Sequence, residues 1–240
     1  MPNQNIKKNV RINAYPLPSY KVITPFAAIY ALCLFIPTID AIAKISFSIF
    51  SFETNFSVAV LIFPAIYPLA DSLTEVYGKK VSYYTTTISY IIIVCFSLIN
   101  NFLLLHSSNK DLFEFLIRPS LVITISGPVS YLITSFLNIH FIYKLKLKMR
   151  KSHFIIRSFL CSAISGFVMS FIVQGALYYK DGFDCFFKML MTIFVLKIII
   201  TIPYVYFAKL LVIVYGVIDG IKMDEYNKNF ATCLSDEKDQ

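Results

Sequence analysis

Apolar residues in this chain fall in long runs rather than at helical or strand spacing, and six runs reach the length of about 20 residues that a membrane-crossing helix takes. They cover 22–43, 57–76, 83–105, 117–141, 155–179 and 186–215. The first is too long for the apolar core of a secretory leader and no small-residue cleavage site follows it, so it reads as a retained helix. Connections of about 6 to 15 residues make successive helices antiparallel neighbours in one bundle. The expected fold is all-α: a polytopic membrane protein, a six-transmembrane-helix bundle with a Pro-broken second span. Residues 1–21 read as a mobile cytoplasmic N-terminal tail, 22–216 as the transmembrane domain and 217–240 as a polar cytoplasmic C-terminal tail. No internal repeat is evident.

Composition agrees with the pattern. Of 240 residues 57% are hydrophobic and 15% charged, with mean hydropathy +0.68. A soluble enzyme, a fibre, a disordered chain and a secreted disulfide scaffold are excluded. The net charge of +8 lies in short loops with no aromatic-basic face, so it signals topology rather than nucleic acid. Fifteen basic residues fall on one side, in the N-terminal tail, at Lys79 and Lys80, in the stretch from Lys144 to Arg157 and in the C-terminal tail. Five fall on the other: Lys44, Lys110, Arg118, Lys180 and Lys188. That excess places both termini in the cytoplasm. The five Cys have no C-x-x-C spacing and His106, His140 and His153 no ligand spacing, so neither a metal nor a redox pair is indicated.

The second run, SVAVLIFPAIYPLADSLTEVYGKK, carries groups that lipid does not tolerate. Pro64 and Pro68 each remove a backbone hydrogen bond and leave carbonyls in need of partners. Asp71 and Glu75 are four apart, on one helix face. A carboxylate in hydrocarbon costs several kcal/mol, so both belong in the bundle interior, in a cavity or at the interface. Two readings stay open: a functional pair, or headgroup-zone acids paired with Lys79 and Lys80 above a Gly78 C-cap. Lys44, ending the first span, and Lys197, in the middle of the sixth near Thr192 and Thr201, are candidate countercharges, although Asp40 lies one turn from Lys44 and snorkelling is open to either lysine. Span four presents Ser126, Ser130, Thr134 and Asn138 at four-residue intervals. Span five carries a weaker set in Ser162, Ser165, Gly166, Ser170 and Gln174. Such stripes serve close helix packing or line a substrate path. No protease, hydrolase or phosphate-loop motif occurs, and two acids on one helix do not converge as a hydrolytic dyad, so the chain reads as a non-enzyme without a cofactor.

Residues 63–80, FPAIYPLADSLTEVYGKK, resemble the F-P-x-x-Y-x-x-x-D-x-L-T-E-V-Y-G signature of the queuosine precursor transporters, formerly the putative vitamin uptake transporter family. Phe63, Pro64, Tyr67, Asp71, Leu73, Thr74, Glu75, Val76, Tyr77 and Gly78 match it. Weaker likeness extends to Lys44, the Lys144–Lys146 loop and Arg157, covering about 24–215. The chain departs from the family where members show Ser-Gln-x-x-Asp: Thr134, Ser135 and Asn138 stand in span four, and Ser165, Gly166 and Met169 in span five. The resemblance implies a divergent member that takes up a 7-deazaguanine base, queuine or a related nucleoside through the bacterial cytoplasmic membrane for tRNA modification. Taken with the polar groups read from the spans, the candidate substrate-binding residues are Asp71, Glu75, Phe63, Tyr67, Asn138, Lys197 and Lys44, with Pro64 and Pro68 breaking the helix beside the site. Its partners are a small-molecule substrate and the bilayer. A homo-oligomer and a separate ATP-driven energising module stay open, as does, more remotely, a membrane-embedded hydrolase.

Overall fold

The structure, a computed structural model, describes residues 17–39, 44–49, 52–57, 59–105, 110–149, 153–178 and 182–221. The two tails assigned as mobile lie outside these residues, apart from 17–21 and 217–221. The described chain is helical except for one hairpin. Its elements are α1 (Tyr20–Ile39), β1 (Lys44–Ile49), β2 (Phe52–Ser57), α2 (Ala59–Ile62), a 3-10 turn (Phe63–Ala65), α3 (Ile66–Leu105), α4 (Lys110–Lys148), α5 (Phe154–Tyr178) and α6 (Phe183–Ile218).

α3 is two helices in one. Gly78 interrupts it with φ 79° and ψ 171°, a backbone region essentially closed to residues bearing a Cβ. The Ser82 hydroxyl donates to the Ala70 carbonyl at 3.3 Å, and Thr74 Oγ1 lies 2.7 Å from Ser82 Oγ. In a straight helix residues 70 and 82 would be about 18 Å apart. The chain therefore folds back at Gly78, and the arms 66–77 and 79–105 form an antiparallel pair. Among the described residues three helical stretches are long and apolar enough to cross a membrane, 59–96, Phe154–Ala176 and Phe183–Ile218, and the first contains the Gly78 reversal.

The described part of the expected first span is α1, Tyr20–Ile39, and its last residues, 40–43, lie outside the described residues; Lys44 lies on β1, paired antiparallel with Ser57 of β2. In 44–49 apolar Ile45, Phe47 and Ile49 alternate with Ser46 and Ser48, a period of two that suits a strand and not a helix. Lys44 is therefore not at a helix end, and Asp40 lies outside the described residues.

Burial is inverted relative to a soluble protein. Every residue from Pro64 to Gly78 is buried, so the arm that carries Asp71 and Glu75 is a central one. Val22, Phe26, Tyr30 and Leu34 of α1, one residue per turn, pack on Leu69, Leu73, Val76 and Tyr77. α4, α5 and α6 also pack on the two arms of α3. Large apolar side chains of α6, among them Ile199, Ile202, Phe207, Leu210, Ile213 and Val217, point outward. A polar core beneath an apolar surface is what a bilayer selects.

Candidate functional site

The chain enters the site through the 3-10 turn at Pro64. Tightening there releases carbonyls, and the Tyr204 hydroxyl of α6 donates to the Leu61 carbonyl at 3.1 Å. Steps of four residues, close to the 3.6 of one helical turn, then carry Phe63, Tyr67, Asp71 and Glu75 down one face of the central arm.

Each of the last three meets polar partners on α4 and α5. The Tyr67 hydroxyl lies 2.9 Å from Thr134 Oγ1 and donates to Met169 Sδ at 3.1 Å. Asp71, fully buried, accepts from Asn138 Nδ2 on Oδ1 and from Ser158 Oγ on Oδ2, both at 2.6 Å. Ser165 Oγ in turn donates to Asn138 Oδ1 at 3.4 Å. Glu75 Oε1 takes Arg157 Nη2 at 3.0 Å and lies 3.8 Å from Lys146 Nζ, which also donates to the Glu75 carbonyl at 2.6 Å. Glu75 Oε2 and the Nε and Nη1 atoms of Arg157 are buried without hydrogen-bond partners. The stripes of α4 and α5 are thus the walls that receive the signature helix.

Beside this column lies a narrow cleft with room for about 10 Å³, one water molecule, lined by Phe63, Tyr67, Ser162, Phe194, Lys197 and Thr201. Lys197 donates to Ser170 Oγ at 2.9 Å. Among the described residues neither carboxylate pairs with it. Its expected place as countercharge to Asp71 or Glu75 is taken, for Glu75, by Arg157 and Lys146. Lys79 and Lys80 are not the partners either: Lys79 Nζ sits 4.6 Å from the centre of the Tyr143 ring. The structure therefore joins Tyr67, Asp71 and Asn138 in one network and Phe63, Tyr67 and Lys197 in one cleft. It places Glu75 in a separate ion-pair cluster and Lys44 on the hairpin.

Sequence reasoning counted Lys146 and Arg157 as loop charges and as part of the weaker family likeness, named neither as a partner of Glu75, and did not single out Ser158. Their signal lay in position: Ser158 and Ser165 are seven apart on the buried face of α5, and Arg157, next to Ser158, is wholly buried. At the same end of the bundle Asp219 closes a third cluster. Its Oδ2 accepts from the Tyr77 hydroxyl at 2.6 Å and from the Ser19 amide at 3.2 Å. Burial pulls this carboxyl upward, and the hydrogen bonds from Ser19 and Tyr77 outweigh it, leaving it below the ordinary carboxylate range. Among the described residues no group of three or more His, Cys, Asp or Glu is placed to hold a metal ion.

Apolar outer faces and a buried polar column define a multi-pass membrane protein with an interior site, the class to which small-molecule carriers belong. Over residues 57–211 the chain matches the family model described as putative vitamin uptake transporter, and it belongs to that family. No curated protein and no solved structure matches it.

Proposed function

We propose that this chain imports a queuosine precursor, a 7-deazaguanine base, queuine or a related nucleoside, through six membrane crossings with both termini in the cytoplasm. Vitamin uptake, the family's description, sets the coarse class of a small molecule carried inward. The signature helix supports the finer reading, and one observation carries it. Asp71 is held by two donors, an amide N–H and a hydroxyl, one on each carboxylate oxygen. A guanine edge offers the same pair, N1–H and N2–H, side by side. The internal donors satisfy the carboxylate while the site is empty, and the substrate edge replaces them when it enters. Phe63 and Tyr67, at the cleft one and two turns away, supply stacking faces for the planar ring.

Exchange of this kind needs the bundle to open, because the cleft holds only about one water. The polar ties of Glu75 and of Asp219 lie at the basic, cytoplasmic end, whereas Phe63, Ser162 and Lys197 lie further along their helices from it. In this reading the ties close the inner end, and rocking about the 3-10 turn at Pro64 and about Pro68 exposes the site alternately.

The test is queuosine in tRNA, read by mobility shift, in a precursor auxotroph fed each deazaguanine at low concentration. The native gene is expected to restore it and Asp71→Asn to fail while inserting normally. Undiminished restoration by Asp71→Asn removes Asp71 from the path. No restoration with any precursor, given verified insertion, removes the substrate assignment.

A further inference from the structure

The cleft differs from the Asp71 column in the chemistry it leaves unused. Thr201 spends its hydroxyl on the Lys197 carbonyl at 2.7 Å, and Tyr67 spends its own on Thr134 and Met169. Two polar groups keep capacity. Ser162 Oγ is buried, with the residue 2% exposed, and has no hydrogen-bond partner. Lys197 carries three N–H donors and gives one to Ser170. Among the described residues no carboxylate lines the cleft. Gly166 lies in the same wall, and a Cβ built on it would meet nothing within 4 Å, so there is space between the donors and the aromatic side chains.

We propose that this cleft is an acceptor-reading subsite: Lys197 Nζ and Ser162 Oγ take a carbonyl oxygen of a planar heterocycle whose ring lies among Phe63, Tyr67 and Phe194. The assignment rests on the uptake reading above and adds to it a second, opposite specificity. Asp71 selects the donor edge of the ring and the α5–α6 wall selects its oxo group. Aromatic walls favour a flat, largely neutral ligand, and an ammonium aimed among them is satisfied by a polarised carbonyl. A buried donor left unpaired by the wrong ligand is the source of discrimination.

The experiment uses the full chain in nanodiscs and two probes, 7-deazaguanine and 6-thio-7-deazaguanine, which share the N1–H and N2–H donors and differ only in oxygen against the weaker acceptor sulfur. The native chain is expected to prefer the oxo ring by about tenfold, the worth of one good hydrogen bond. Lys197→Met and Ser162→Ala should each bring the ratio toward one, and Lys197→Arg should retain part of it. Asp71→Asn should weaken both rings and leave the ratio in place. Gly166→Val fills the open space and should abolish binding of both without altering thermal stability. An unchanged oxo/thio ratio in both Lys197→Met and Ser162→Ala, with binding intact, overturns the subsite alone. Failure of the folded native chain to bind either ring overturns the uptake reading and the subsite with it.

Discussion

Asn138 donates its side-chain amide to Oδ1 of Asp71 across 2.6 Å, and both residues are fully buried. This contact joins the signature helix to α4, and Ser158 joins the same carboxylate to α5. Asn138 stands where the queuosine precursor transporter resemblance leads one to expect an acid. An amide there donates without adding charge, so Asp71 has a partner that a second ionised carboxylate would not provide.

Removing that donor strands a buried acceptor. Asn138→Leu is expected to cost about 1–3 kcal/mol. Asn138→Asp should cost more, because two carboxylates in contact cannot both ionise. Thermal unfolding of detergent-solubilised protein reads both. A native midpoint in Asn138→Leu would mean that the contact does not hold the helices together.

Glu75 and Arg157 make the opposite case, a buried ion pair with atoms to spare. Arg157→Met leaves Glu75 with only Lys146 as counterion and is expected to cost about 3–5 kcal/mol, the usual penalty for breaking such a pair. The double variant Glu75→Leu with Arg157→Met removes both charges and should recover most of that stability while transport stays lost. Equal stability in the single and double variants would show that the pair is not coupled.

How far these relationships were legible follows from local spacing. Asp71 and Glu75 four apart, with Pro64 and Pro68, marked the central arm, and the Thr134, Asn138 and Ser165 stripes marked the surfaces that receive it. Which cation met which acid was not legible, because Arg157 is 82 residues from Glu75 and only packing decides the pairing. Lys197 stands in mid-span and Arg157 near the start of α5, and spacing along the chain does not say which of them meets Glu75. The hairpin at 44–57 was hidden for another reason. It falls in the connection between the first two runs, and a reading by the length of apolar runs does not detect a short stretch of period two there.

Gly78 tests the reversal. With φ 79° and ψ 171° it occupies a region that an L side chain enters at about 1–3 kcal/mol. Gly78→Ala is expected to lower thermal stability by that amount and to reduce the protein accumulating in membranes, since the 66–77 and 79–105 arms then turn poorly. Native stability and abundance in Gly78→Ala would mean that the turn does not depend on glycine.

The Asp219 cluster predicts a pH dependence whose sign follows from its carboxyl. Hydrogen bonds from Tyr77 and Ser19 favour the ionised form and hold the folded value below the ordinary one. The unfolded chain therefore takes up the proton first as pH falls. The contribution is fully present above the unfolded value of about 3.9 and is lost as pH drops through the lower folded value. Asp219→Asn lacks the ionised acceptor at every pH. The native chain should be the more stable at pH 6, and the two melting curves should converge as pH falls below about 4. Because these bonds tie α6 to the Gly78 turn and to the start of α1, Asp219→Asn should also loosen the basic end, raising labelling of a cysteine placed at Ser158 by a water-soluble maleimide. A stability difference that persists undiminished below that pH would show that the ionised carboxylate is not what holds this end closed.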